Sequence, residues 1–526
     1  MQQPTNTYRE ELRLLAAAFG CAVLHHYLFY GHSWGVSYPL FAAALYALYY
    51  TTAARQGLPL KQPVNLLLLP VILLSLTYML HSGVLLLVLN ALMVPLLILI
   101  HMTWSSRHAV PSAESMWLQP LEQFAVQTLR NVPRPFQLVL ASLQRRRTSS
   151  GGAGQGWKVL LGLLLSAPLL FVVLMLLASA DTVFDRSLSR LPDLLEGLEL
   201  GEEAFRLLWV AAVTTGLFAY INGLHRPKRF RREQLGGPAS LPLYGPVPGT
   251  ESPSTGSSST ASETAFGPPS GLPKIDPTVA GTMLVMLNAV YALFVLVQFS
   301  YFFAGADLPE GITYAAYARK GFAELVLVTL INLSVLIAMV YGVHRPADRA
   351  WLALRSLLAL LVGFSTVMLV SAYLRLALYE EAYGFTVTRI LVHAFMLLLA
   401  VLFLLALVKL WKPPFPLVRS YLIAALAGYV ILNYASVDGL IARGNIARYE
   451  RTGQLDTGYL GSLGYEAVPY VAALQRSRPD LAELSVAAER YRTRLQEEKP
   501  RWMEWNLARW RAERALAMIE AGEREE

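Results

Sequence analysis

The sequence predicts an all-α fold: a polytopic transmembrane helical bundle of eleven spans, N-terminus inside and C-terminus outside, followed by a small C-terminal soluble helical domain. Composition is the first reason. Of 526 residues, 55% are hydrophobic and 15% charged, with a mean hydropathy of +0.43, where an average soluble domain carries about 25% charged residues. Arrangement is the second. Apolar residues come in long uninterrupted blocks, and a run of about 18 with few charges is long enough to span a bilayer. Charge placement is the third, and it sets the orientation.

The apolar runs are 13–30, 36–54, 64–80, 83–102, 157–179, 206–224, 278–303, 321–343, 351–378, 389–410 and 418–436. The stretch 64–102 admits a different pairing around His81, Ser82 and Gly83. Arg9 and Arg13 precede the first run, but no small-residue cleavage site follows, so this helix is expected to stay as an uncleaved span. Cys21, the single cysteine, lies within it, which excludes disulfides and thiolate metal sites within one chain.

Lys and Arg in short loops mark the inner side. With the N-terminus inside, every inner segment is richer in them than the outer loops beside it. Arg145, Arg146 and Arg147, then Arg226, Lys228, Arg229, Arg231 and Arg232, fall inside; Arg186, Arg190, Arg319, Lys320 and Arg389 fall outside. Topology thus accounts for the net charge of +8, and no nucleic-acid partner is called for.

Four regions follow. Residues 1–225 form a six-span part with a basic inner loop at 103–156; 226–276 is a Gly/Pro/Ser/Thr-rich inner linker, expected to be disordered; 277–436 is a five-span part; and 437–526 is the outer helical domain. Within the basic loop, the amphipathic region 116–144 followed by "RRR" reads either as a helix on an anionic inner membrane surface or as an ordinary basic loop. In the outer domain, "TGQLD" reads as a turn with Asp456 capping the next helix. "RPD" at 478–480 starts another, and 501–519 makes a last one with Trp502, Trp505 and Trp510.

Four stretches carry a resemblance: "LPEGITYAAYARKGFAEL" at 308–325, "LRLALYEEAYGFTVTRI" at 374–390, "VDGLIARGNIARYERTGQLDTGYLGSLGYEAVPYV" at 437–471 and "WNLARWRA" at 505–512. The chain resembles a bacterial membrane-protein family known only as domain of unknown function four-one-seven-three, related to four-one-five-three. The likeness covers roughly 280–526. It implies a multi-pass protein of the bacterial cytoplasmic membrane and supplies no activity. Gly444 departs from the pattern, standing where a larger residue is usual before "NIARY".

A candidate polar pocket lies at the outer boundary of the last five spans. Glu324 sits about one turn inside its span, with Asn332 two turns on along the same stripe. Arg375 and Tyr379 close one span, Arg389 and His393 open the next, and Asn433 closes the last. A charge deep in lipid costs about 2.5–3.5 kcal/mol on insertion scales, so Arg375 and Glu324 are expected to face protein or water and to pair. Two arginines among tyrosines suit an anionic group such as a phosphate or lipid headgroup. Tyr314, Tyr317, Arg319 and Phe322 form an interfacial motif in the preceding loop, at the level where amphipathic rings collect. The same groups could instead form an ion-pair network that locks the helices together.

His25, His26, His32, His81 and His393 also gather toward the outer side, but without the spacing of a zinc site, and neither metal nor cofactor is expected. Ala424 and Gly428 form a small-residue pattern that permits close helix packing. "GGAGQGWK" at 151–158 lacks the lysine position and preceding strand of a phosphate loop, and no H-E-x-x-H, G-x-S-x-G or cysteine nucleophile occurs. Three readings remain: a non-enzymatic envelope scaffold or sensor; a membrane-embedded transferase acting on an anionic lipid-linked substrate; and a transporter or flippase. The partners expected are the lipid bilayer, an anionic lipid or envelope component, and a membrane protein.

Overall fold

The structure, a computed structural model, describes residues 4–55, 57, 63–106, 115–147, 200–225, 275–298, 322–343, 348–497 and 499–523. The predicted span 157–179, the stretch "GGAGQGWK", the linker up to 274, and Tyr314, Tyr317 and Arg319 lie outside these residues. Among the described residues every regular element is helical, which makes the chain an all-α polytopic bundle. The N-terminal helices are α1 (Pro4–Phe29), α2 (Ser37–Arg55), α3 (Leu68–Leu80, entered through a 3-10 turn at Pro63–Leu67) and α4 (Val84–Ser106). Next come α5 (Ser115–Glu122), a π-helical turn (Gln123–Gln127), α6 (Thr128–Asn131), α7 (Pro133–Arg147) and α8 (Leu200–His225). The later long helices are α9 (Pro277–Gln298), α10 (Phe322–Gly342), α11 (Asp348–Tyr383), α12 (Val387–Trp411) and α13 (Leu417–Tyr434). Five shorter ones finish the chain: α14 (Val437–Thr452), α15 (Thr457–Leu460), α16 (Val468–Ser477), α17 (Ala482–Glu497) and α18 (Leu507–Glu523).

Among the described residues, eight helices are long and apolar enough to cross a membrane, and a shorter apolar helix covers Val64–Leu80. α2 forms over the predicted run 36–54 but is not one of the eight. Tyr38, Tyr46, Tyr49, Tyr50, Thr51 and Thr52 dilute its apolar character.

The chain divides into two compact units. One holds Met1–His26, Leu45–Gln62 and Met102–Gly267; the other holds Tyr27–Ala44, Pro63–His101 and Pro268–Glu526. In the first unit, the π-helical turn, α6 and α7 pack against α8, whose Phe218, Ala219 and Ile221 are wholly buried.

In the second unit, the 36-residue α11 packs against α9, α10 and α12. Leu336, Leu358, Leu361, Ala372, Leu376 and Phe403 fill the space between them. Polar side chains inside this bundle bond each other, as burial in an apolar medium demands. Asn332 accepts from the Tyr291 hydroxyl at 2.7 Å and donates to Ser365 Oγ at 2.9 Å. Leu398 of α12 lies 3.7 Å from where a Cβ on Gly428 would sit, so the small residue allows α13 to lie close.

The C-terminal helices have apolar cores of their own. Ile441, Leu460, Val471 and Leu484 form one, and Val468, Ala488, Tyr491 and Ala512 another. Local signals act as their chemistry predicts. Asp456 accepts from Tyr459 N–H at 2.8 Å and caps α15, and α14 ends on Gly453 in the left-handed region (φ 69°). Arg478 and Asp480 form a two-bond ion pair just ahead of α17, which begins at Ala482.

Candidate functional site

Within the second unit, three loops that close long helices are each held by the C-terminal helices through side chain to backbone hydrogen bonds. The first is Gly31–Val36, between α1 and α2. Glu504 Oε1 accepts from Ser33 N–H at 3.2 Å and meets His32 Nδ1 at 3.1 Å. A Cβ on Gly35 would fall 2.5 Å from the Glu504 carbonyl carbon, so the backbones touch there and only glycine fits.

The third loop joins α11 to α12. Gly384 takes φ 84°, and Asn445 clasps the next residue from both sides, accepting from Phe385 N–H at 2.7 Å and donating to Phe385 O at 3.0 Å. Arg448, buried, donates to the carbonyls of Glu381 and Ala382 at 2.7 and 2.6 Å. The Tyr459 hydroxyl accepts from Val387 N–H at 3.1 Å.

The second loop, His81–Gly83 between α3 and α4, carries the densest chemistry. Glu466 Oε1 accepts from Ser82 N–H at 2.6 Å and Oε2 from the Ser82 hydroxyl, which itself accepts from Tyr465 N–H at 2.8 Å. His81 Nδ1 lies 3.4 Å from Glu466 Oε1. Asp438 Oδ2 accepts from Gly464 N–H at 3.2 Å. A Cβ on Gly464 would fall 2.5 Å from Asp438 Oδ2 and 2.8 Å from both Glu466 Oε2 and Ser82 Oγ, so the two carboxylates converge on a glycine. Asn506 adds donors to the carbonyls of Tyr78 and His81 at 3.0 and 2.7 Å.

These two acids titrate differently. Burial raises the Asp438 carboxyl to about 6, and the neighbouring Glu466 charge adds to the rise. Burial also works to raise Glu466, but hydrogen bonds from His81 and Ser82 outweigh it and hold Glu466 below the usual carboxylate range. One member of the pair therefore stays ionised while the other takes a proton in mildly acidic conditions.

The structure brings three of the sequence-predicted residues into one neighbourhood. The Arg389 guanidinium lies 4.2 Å from the centre of the Tyr379 ring and donates to Gly384 O. Four residues on, His393 Nε2 meets Glu380 Oε2 at 3.0 Å, with Tyr373 edge-on to its ring at 4.4 Å. Arg375 is buried on α11, one turn from Tyr379. Asn433 belongs to a separate network: it accepts from Asn90 Nδ2 at 2.6 Å and donates to Tyr429 O at 2.9 Å, while Asn90 also bonds Thr77 and the Tyr429 hydroxyl.

Glu324 is exposed in the first turn of α10 whereas Arg375 is buried, and among the described residues no ion pair joins them. The stripe 324, 328, 332 runs from exposed to buried, so its start faces outward while Asn332 faces the bundle. The Phe322 side chain lies outside the described residues. The histidines also part company: His25 accepts from Trp209 Nε1 at 3.4 Å, His32 goes to Glu504, His81 to Glu466 and His393 to Glu380.

With this geometry in place, comparison with known proteins fixes the family. The family described as Domain of unknown function (DUF4153) matches residues 68–474. The chain belongs to it. The sequence motifs resemble domain of unknown function four-one-seven-three, whereas the family shown is four-one-five-three. The DUF4153 match takes in the second and third loops with their clasps (Ser82, Asp438, Asn445, Arg448 and Glu466) and stops short of Glu504 and Asn506. No curated protein and no solved structure matches the chain.

Glu466 is a candidate residue that sequence reasoning passes over. The signal it leaves is an acid beside glycines in "GSLGYEAV", paired with a polar "HSG" break between two apolar runs.

Proposed function

We propose that this DUF4153 member is a non-enzymatic scaffold or sensor of the bacterial cytoplasmic membrane. Its N-terminus faces inward, and its C-terminal helices sit on the outer face, where they meet a partner membrane protein or an anionic envelope component. One observation carries the reading: a single set of C-terminal helices clasps three loops that close long helices. Polar groups of these helices are turned toward the protein rather than toward a substrate. Glu466 is engaged by Ser82, Asn445 by Phe385, and Arg448 by Glu381 and Ala382. The same helices leave Tyr470, Trp502, Trp505 and Trp510 exposed, the residue types that anchor interfaces.

The test is in-cell photo-crosslinking from positions 470 and 510, in the parent chain and in an Asn445→Ala/Glu466→Ala background that releases the clasps. The expected result is a discrete adduct, to one envelope protein or one anionic lipid, that weakens on release. An absence of adducts at both positions, or adducts indifferent to release, overturns the proposal.

A further inference from the structure

The segment Ser115–Asn131 in the first unit has its amphipathicity the reverse of a water-facing helix. Three of its polar side chains point into the protein: Gln123, Gln127 and Asn131, four residues apart, are 1%, 4% and 1% exposed. They meet the end of α8. Gln123 Nε2 donates to Tyr220 O at 3.4 Å, and Asn222 Nδ2 donates to Asn131 Oδ1 at 3.1 Å. A Cβ on Gly223 would fall 3.0 Å from Gln123 Nε2 and 3.1 Å from Asn131 Nδ2, so the glycine lets the amides close on the helix backbone. The opposite face is apolar and uncovered, with Leu118 63%, Leu121 61%, Phe124 55% and Leu129 69% exposed.

Water selects the opposite arrangement, apolar side chains inward and amides outward. A hydrocarbon surrounding selects the one observed, because unsatisfied amides are what it penalises. We propose that this apolar face is seated in lipid, at the headgroup–acyl boundary of an anionic bilayer.

Continuity supports that occupant. The first turns of α8, a helix long and apolar enough to cross a membrane, expose Phe205, Leu207 and Trp209. Its last turns, Phe218 to Leu224, are buried, and the π-helical turn, α6 and α7 pack against this helix. The outward face of Ser115–Asn131 therefore takes over the apolar surface that α8 gives up. Charge sets the depth. Glu122 is exposed and accepts from Gln127 Nε2 at 3.4 Å, while Arg134 reaches back to Glu11 at 2.7 Å. Carboxylate and guanidinium so close to the apolar face suit the boundary rather than the hydrocarbon centre, and basic residues suit anionic headgroups.

The test uses the unmodified chain in vesicles of phosphatidylglycerol and phosphatidylethanolamine. They are labelled with a membrane-partitioning photoreactive diazirine, and adducts are mapped by mass spectrometry. Leu118, Leu121, Phe124 and Leu129 should label as strongly as Leu207 on α8, and Val486 on α17 should not. Labelling of Leu207 without the four overturns the proposal, since their face is then covered by protein or open to water. In a second measurement, nitroxides placed one at a time at Leu121 and Phe124 in a Cys21→Ser chain should collide more with oxygen than with a water-soluble nickel chelate. The reverse order, or shielding from both, also sinks the assignment.

Discussion

The Phe385 ring lies so close over Gly444 that a Cβ at position 444 would fall 2.7 Å from Cδ2 and 2.9 Å from Cε2. The glycine that departs from the family pattern thus has a physical reason. The ring occupies the room that a larger residue would use. Alanine in a helix interior normally gains about 1 kcal/mol over glycine. Here the ring cannot retreat easily, because Asn445 holds Phe385 at both its N–H and its carbonyl. Gly444→Ala should therefore destabilise the protein, by about 1–3 kcal/mol as overpacking does. Thermal unfolding in detergent with Phe385→Ala as a companion checks it: the double variant should recover part of the loss.

Asn445 supplies a second expectation. Asn445→Ala removes an acceptor and a donor together and leaves two backbone groups of a tight turn without partners, at about 1–3 kcal/mol each where water is excluded. Asn445→Asp keeps the acceptor for Phe385 N–H and should lose less. Limited proteolysis at the 384–387 loop reads the difference, and equal susceptibility of the two variants would contradict the clasp.

Asp438 makes the stability of the clasped state depend on pH, with a definite sign. Its folded-state carboxyl titrates at about 6, above the ordinary value of 3.8. The folded state therefore binds this proton more tightly, and its contribution is fully present below the ordinary value and lost as pH rises through about 6. Unfolding midpoints measured from pH 4 to pH 7 should fall along that limb on this account. Asp438→Asn should flatten the limb, and an unchanged slope would remove Asp438 from the explanation.

Glu324 and Arg375 should behave as independent sites. One is exposed and the other buried, with no ion pair between them. Their alanine substitutions should add to within about 0.5 kcal/mol in a double-mutant cycle. Arg375→Ala should carry most of the loss. A coupling energy above that margin would restore the pairing that the sequence pattern invites.

Asn90 is wholly buried and bonded to Thr77, Asn433 and Tyr429 at once. Asn90→Ala leaves the Tyr429 hydroxyl and the Asn433 side chain short of partners, at about 1–3 kcal/mol for each group. Replacing Asn433 in the same background should then cost little more. Full additivity of the two losses would separate Asn433 from this network.

What the sequence discloses about this protein is position along a helix, and what it withholds is which helices are neighbours. Runs of apolar residues locate the spans because length alone decides whether a bilayer can be crossed. Glu324, Arg375, Tyr379, Arg389, His393 and Asn433 share a common distance from span ends. Tyr379 and Arg389 do meet, since the short turn at Gly384 forces α11 and α12 to run side by side. Asn433 sits on α13 and turns instead to Asn90, 343 residues away in sequence. A like ambiguity hides the segment Ser115–Asn131. Periodicity reveals that a helix has two faces, and only packing reveals that the polar one points inward.

The clasped loops also carry a consequence for the order of assembly. Glu504 bonds Ser33 across 471 residues, and Glu466 bonds Ser82 across 384. Synthesis runs from the N-terminus, so the first helix pairs emerge long before the groups that secure their loops exist. Those loops must wait until residues 466 and 504 have been translated before these bonds can form. The helices from Val437 onward thus act as a closing fastener, and a ribosome that stops before them leaves a bundle whose earliest turns were never tied.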